Sequence, residues 1–320
     1  MDYEVWLEKY RAKKLDDIAG QEQVTERLKA YVKVGNFPNL LFTGSPGTGK
    51  TSCALCMARE IFGENWHGNF KEWNASDTRG IDVVRNEIKQ YANTKPLGQY
   101  EFKIAFLDEC DALTSDAQAA LRRTMEKYSS NCKFILSCNW LSKIIEPISS
   151  RCAVYRFKGV NPEAMKQRLS YIAKKENLTI GEASLDSIVY VSEGDMRKAV
   201  GTLEVASLMG KNITVDSIYK SSGLARREDI RNFIETCLSG NYMSAFEKLD
   251  ILMIMEGLSA QDLLTQIFKE TMILNVKDKT KVDIVDITGE TDFRISEGAN
   301  ERIQMRWFVA KLGVIGKLVT

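Results

Sequence analysis

Gly44-Ser45-Pro46-Gly47-Thr48-Gly49-Lys50-Thr51 decides how the rest of this chain is read. The stretch fits G-x-x-x-x-G-K-[ST] at every position, a spacing that turns main-chain N–H groups inward around a polyphosphate. The glycines permit backbone angles that a side chain would hinder, Lys50 brings a point charge to the outer phosphates, and the Thr51 hydroxyl suits Mg2+. The flanks agree. Residues 39–43 read as a short buried strand, and residues 51–62 as a helix whose N-terminus favours anions. ATP with Mg2+ is therefore the expected ligand. Its contacts are expected along Gly44, Ser45, Pro46, Gly47, Thr48, Gly49, Lys50, Thr51 and Ser52.

A second element belongs with the loop. Lys103-Ile104-Ala105-Phe106-Leu107 leads into Asp108-Glu109-Cys110-Asp111, placing acids at the carboxyl end of a buried strand, where open α/β sheets bind their ligands. Asp108 is expected to hold Mg2+, directly or through water, and Glu109 to polarise the attacking water.

With 320 residues the chain can bury two or three cores. Its net charge of +1 means that a nucleic-acid surface must be a local patch rather than a bulk property. Seven scattered cysteines, an odd number, favour reduced thiols inside a cell. Cys53 and Cys56 have C-x-x-C spacing without a second pair, which reads as helix packing, and the single His67 cannot build a metal site alone. No apolar run reaches membrane-spanning length, and Met1-Asp2-Tyr3-Glu4 lacks the character of a secretion signal.

Apolar segments at 40–43, 70–74, 104–107, 134–138 and 153–157 alternate with helical patterns, which predicts a parallel sheet covered on both faces. Gly159-Val160-Asn161-Pro162 ends that alternation, and helices follow over 164–176, 184–191 and 195–209, the last N-capped by Asp195. After Ser221-Ser222-Gly223 helical periodicity returns over 228–238, 242–255 and 260–274. Residues 277–281, Lys-Asp-Lys-Thr-Lys, read as a loop, and 300–318 as a terminal helix whose end Gly313 and Gly316 weaken. Three domains are expected, at 1–159, 160–222 and 223–320.

On these residues the chain resembles the small subunit of replication factor C, the sliding-clamp loader and an AAA+ ATPase, in its archaeal form. The resemblance covers essentially the whole length. Its specific marks are Trp6-Leu7-Glu8-Lys9-Tyr10-Arg11, the phosphate loop, Asn74-Ala75-Ser76-Asp77-Thr78-Arg79-Gly80-Ile81, Asp108-Glu109, Ser150-Arg151-Cys152 and Gly194-Asp195-Met196-Arg197-Lys198. It implies an α/β fold: an AAA+ P-loop core with a parallel sheet, an all-α lid and an all-α collar. It also implies that Leu7, Arg11 and Ile18 lie near the adenosine, that Asn139 orients water near the γ-phosphate, and that Arg197 reports the nucleotide to the lid. Arg151 would reach in trans into the next subunit's site as an arginine finger, and Arg79 and Arg85 would meet DNA phosphates, with Arg122 and Arg123 adding charge. The implied partners are other clamp-loader subunits including a large subunit, a sliding clamp and primer-template DNA, with no membrane. The implied location is cytoplasmic, or nuclear in a eukaryote.

Ala12, Ser45 and Cys110 depart from the family's usual residues without removing a catalytic group. A branch-migration helicase or a protein unfoldase is a rival motor, but an unfoldase needs an aromatic pore loop where this chain has Ser76-Asp77-Thr78-Arg79-Gly80. A non-hydrolysing scaffold subunit is the other rival, and intact Lys50, Asp108 and Glu109 argue against it.

Overall fold

Strands that read as unbroken apolar runs must be buried on both faces, and parallel sheets with helices on either side achieve this. The computed structural model describes residues 4–76, 82 and 84–317, divided into two compact units, Met1–Ile213 and Thr214–Thr320.

The first unit holds β1 (Leu40–Thr43), β2 (Phe70–Asn74), β3 (Lys103–Asp108), β4 (Cys132–Cys138) and β5 (Ala153–Arg156), all parallel in the order β2-β3-β4-β1-β5. β1 shows why the sheet has two cores. Its Leu40 and Phe42 join Leu28, Phe62 and Phe106 on one face, whereas Leu41 joins Leu107, Leu121 and Leu136 on the other. The order also places β4 between β1 and β3, so the loop leaving β1 and the acids ending β3 flank one strand tip. The helix Lys50–Phe62 follows the loop, with Cys53, Ala54, Cys56, Met57 and Ala58 all buried. Cys53 and Cys56 are free thiols, and burial pushes both up, Cys56 to about 12, as inert packing groups require.

Beyond the sheet, helices Pro162–Lys175, Glu182–Ser192 and Met196–Leu208 form the lid segment of the same unit. Asp195 caps the third, accepting from the Lys198 N–H at 3.0 Å. A parallel pair of two-residue strands, β6 (Thr179–Ile180) and β7 (Asn212–Ile213), ties this segment together. It is too short to leave a period in the sequence, and is the one non-helical addition to the lid as expected.

The second unit is helical throughout its described residues: Val215–Ser222, Arg227–Leu238, Tyr242–Asp250 running on as a π-type turn Ile251–Met255, Ala260–Ile273, Asp278–Ser296 and Glu301–Lys317. Residues 278–281 are not loop but the first turn of a nineteen-residue helix. Its lysines hid the pattern: Thr280, Ile284, Ile287, Thr288, Thr291 and Ile295 form the buried stripe, at helical spacing. Half of that stripe is threonine, which reads as polar but is made burial-compatible where the hydroxyl bonds back one turn, as Thr288 does to Ile284 at 2.7 Å and Thr291 to Ile287 at 2.6 Å. The terminal helix expected over 300–318 is found at Glu301–Lys317, and Gly313 and Gly316 sit buried within it. A Cβ on Gly316 would overlap the Leu238 carbonyl, and one on Gly313 would press on the Tyr242 ring, so both glycines serve close helix approach.

Candidate active site

The phosphate loop folds around its own lysine. Lys50 is 8% exposed, and its ammonium donates to the carbonyls of Gly44 at 2.6 Å and Ser45 at 2.9 Å and to Asn139 Oδ1 at 3.0 Å. Burial lowers its pKa, and the nearby Asp108 carboxylate works against that. The Thr48 hydroxyl donates to the Ser45 carbonyl at 2.8 Å and closes the turn. Gly47 has φ 66°, and a Cβ there would run into the Asp195 carboxylate. No side chain fits between loop and lid at that point, where the Met196 N–H donates to the Gly47 carbonyl at 3.1 Å.

The acids close the other side. Thr51 Oγ1 donates to Asp108 Oδ2 at 2.7 Å, joining the first turn after β1 to the end of β3. Asp108 Oδ1 accepts the Glu109 N–H at 3.0 Å, and Glu109 is exposed with φ 54° and ψ 39°. A non-glycine residue held in the left-handed region at a strand end is the kind of backbone outlier that clusters at functional sites. Asp111 accepts from the N–H groups of Asn139 at 3.3 Å and Trp140 at 3.2 Å, which fixes the tip of β4 against the acidic turn.

These groups border a cavity of about 520 Å3. Of the residues singled out in the sequence, Leu7, Arg11, Ile18, Asn139 and Arg197 line it, together with Asp108, Glu109 and the loop from Pro46 to Ser52. Gly44 and Ser45 do not; they reach it through the carbonyls that hold Lys50. Arg151 is elsewhere, its Nε 2.7 Å from Glu126 and its Nη1 donating to the Pro147 carbonyl at 2.9 Å. Arg79 lies outside the described residues, and only the backbone of Arg85 is described, within Val84–Ile88.

Sequence reading missed Glu72, Asn74, Val160, Arg168 and Val200, which also line the cavity. For Glu72 and Asn74 a signal existed: they alternate with buried Trp73 along β2. Burial, then the Asp108 charge, raises the Glu72 pKa. Arg168 left no local signal at all. The donors fit the expected ligands. Mg2+ takes few protein oxygens and keeps water and phosphate for the rest, which a hydroxyl and one carboxylate 2.7 Å apart satisfy. Among the described residues no group of three or more His, Cys, Asp or Glu could hold a metal by itself.

A second concavity, of about 500 Å3, lies along helix Ser115–Lys127 and includes Lys89, Arg123 and Lys127, with Asp116 as its one acid. The arginine pair thereby splits. Arg123 is exposed to this concavity, while Arg122 is half-buried with its Nε 3.9 Å from Glu126. No helix among the described residues is long and apolar enough to cross a membrane.

Three family models match the chain: the ATPase family associated with various cellular activities over residues 40–160, an RCF1/5-like AAA+ ATPase lid domain over 167–208, and the replication factor C C-terminal domain over 225–311. The chain is 54% identical to the replication factor C small subunit of Archaeoglobus fulgidus, covering 99% of both. It is 51% identical to that of Methanocella arvoryzae, over 98% of this chain and 97% of the relative. Among solved structures, the Thermotoga maritima RuvB Holliday junction branch migration motor aligns with a TM-score of 0.55 at 19% identity, covering 81% of this chain and 85% of that one. Identity that low speaks for the fold alone.

Proposed function

The chain belongs to the replication factor C small-subunit family, and from that premise we propose that it is an ATPase subunit of a clamp loader. In this reading ATP binding assembles a spiral of subunits, a large subunit among them, that opens a sliding clamp and grips primer-template DNA; hydrolysis releases both. The observation that carries it is the Thr51–Asp108 hydrogen bond beside the buried Lys50, an assembled phosphate-and-metal site on strand ends.

Each side chain has one task. Lys50 exchanges carbonyl partners for phosphate oxygens, with a short path because its ammonium is already in place. Thr51 and Asp108 would hold Mg2+, which neutralises charge on the phosphates when bound. Glu109 faces solvent, free to polarise a water, and Asn139 orients it from the other strand tip. Arg197 stands at the first turn of the lid helix, on the cavity wall. Arg151, exposed and away from its own cavity, suits a finger that serves the neighbouring subunit. The domains are core 1–159, lid 160–222 and collar 223–320, the last for assembly.

DNA contact is assigned to Arg79 and Arg85, with Lys89, Arg123 and Lys127 extending the basic surface; phosphate recognition of this kind is independent of sequence. The subunit works in the cytoplasm. The deciding experiment is an ATPase assay of the reconstituted assembly with primer-template DNA and a matching clamp, each alone and both together. Greatest turnover with both is expected. Indifference to the clamp rejects the proposal, and stimulation by a four-way junction alone would favour a branch-migration motor.

A further inference from the structure

Residues 5–12 run along the cavity as a strap, with Trp6, Leu7, Tyr10, Arg11 and Ala12 on its wall. The strap contains only a four-residue helix, Trp6–Lys9, far too short to hold its shape unaided. What fixes it comes from the lid segment. Arg168, on helix Pro162–Lys175, donates Nη2 to the Tyr10 carbonyl at 2.6 Å. Glu176, just past that helix, takes Lys9 Nζ at 2.5 Å and the Tyr10 hydroxyl on the same oxygen. Glu204, on helix Met196–Leu208 and 7% exposed, accepts the Trp6 N–H at 3.1 Å. Trp6, Tyr10 and Tyr171 form an edge-to-face series with centroids 6.2 and 6.4 Å apart, and the Arg168 guanidinium lies 5.2 Å over the Tyr171 ring. The core holds the strap at its far end, where the Cys56 thiol meets the Ala12 carbonyl at 3.3 Å.

The same lid segment also holds the phosphate loop, through the Met196 N–H on Gly47. The lid therefore grips the cavity at the loop and along the strap. Leu7, Ile18, Val160 and Val200 give the strap side of the cavity the apolar lining that a base requires, whereas the loop side carries the charge.

We infer that Arg168 and Glu176 are positioning residues that clamp the strap to the lid, so that lid placement sets affinity for the adenosine half of the nucleotide separately from its phosphates. This rests on reading the cavity as the ATP site. The physical cause is pre-organisation. A charge-assisted hydrogen bond to a backbone carbonyl fixes a strap that local structure cannot, and when it is lost, affinity falls by the fraction of time the strap spends out of place.

The test uses the full chain with Arg168→Ala and with Glu176→Ala, measuring affinity for ATP and for inorganic tripolyphosphate, and turnover at saturating ATP. Each variant is expected to bind ATP about tenfold more weakly, the scale of one charge-assisted hydrogen bond, while tripolyphosphate affinity is unchanged; for Glu176→Ala, whose residue stands off the cavity wall, saturated turnover stays within about twofold. The exchanged pair Lys9→Glu with Glu176→Lys should recover most of the ATP affinity. Unchanged ATP binding in Glu176→Ala overturns the inference, since a loss in Arg168→Ala alone means direct contact from the cavity wall, and so does an equal loss for both ligands, which means general loosening. Lys50→Ala, run in parallel, should lose both ligands; if it retains them, the reading of the cavity itself fails, not the strap alone.

Discussion

Residues 1–213 and 214–320 treat apolar surface in opposite ways. The first unit drives its largest hydrophobics under a sheet, and three of its positive-φ residues, Gly47, Gly49 and Glu109, stand on the cavity wall. The second unit is half as long, yet among the described residues it carries eleven of the nineteen large exposed hydrophobics, including Met255 at 81% and Met243 at 71%. Surface of that composition on a helical unit with no catalytic motif suits contact between subunits. The difference teaches where to look for each activity: strand ends for chemistry, outward helix faces for assembly.

The largest effect expected from this contrast is Lys50→Ala, which should abolish ATP binding in a folded protein, because neighbouring N–H groups alone do not neutralise the outer phosphates. Direct nucleotide titration checks it. Glu109→Gln should keep binding and lose turnover. Next in size is Arg151→Ala, expected to leave ATP affinity intact while hydrolysis in the assembly falls by about 10³-fold, the scale of a lost arginine finger. Mixing it with Lys50→Ala subunits should restore hydrolysis at interfaces that pair an intact finger with an intact site; no restoration would mean that Arg151 acts within its own chain.

The other unit offers the smaller effects. Met255→Asp combined with Phe293→Asp should dissociate the oligomer by light scattering and leave nucleotide affinity unaltered; unchanged mass would move assembly off these faces. Gly316→Val, which forces a side chain onto the Leu238 carbonyl, should cost about 1–3 kcal/mol, read as a lowered denaturation midpoint of the helical unit. Smallest of all is Arg123→Ala, which should flatten the log-log salt dependence of DNA binding by about 0.7 to 0.9, one phosphate contact. An unaltered slope removes this concavity from the DNA surface.

How much of this was legible depended on whether the cause was local. β1 was read to the residue because its unbroken apolar run ends at a glycine, β2 because Phe70 and Trp73 mark a short segment that ends at Asn74, and the loop because phosphate binding needs its glycines in sequence. Arg168 and Glu176 were not legible, since each acts on a segment more than 150 residues away and looks like an ordinary charge on a helix face. Helix Asp278–Ser296 failed differently: its buried stripe is half threonine, and the i−4 hydrogen bonds that let Thr288 and Thr291 be buried are seen only in the fold. The finger role of Arg151 came from resemblance, as nothing in its own surroundings of Glu126 and Pro147 announces it.

The buried cysteines have a practical consequence of a different kind. All seven thiols are free, and only Cys152 is even half-buried rather than buried, its thiol pushed up to about 12. A thiol reagent at neutral pH therefore reads opening of the fold rather than surface chemistry. Six of these groups lie in the unit with the nucleotide cavity and one, Cys237, in the helical unit. The unmodified chain thus carries a two-channel clock: ATP should slow labelling of the first six, while the rate at Cys237 follows assembly.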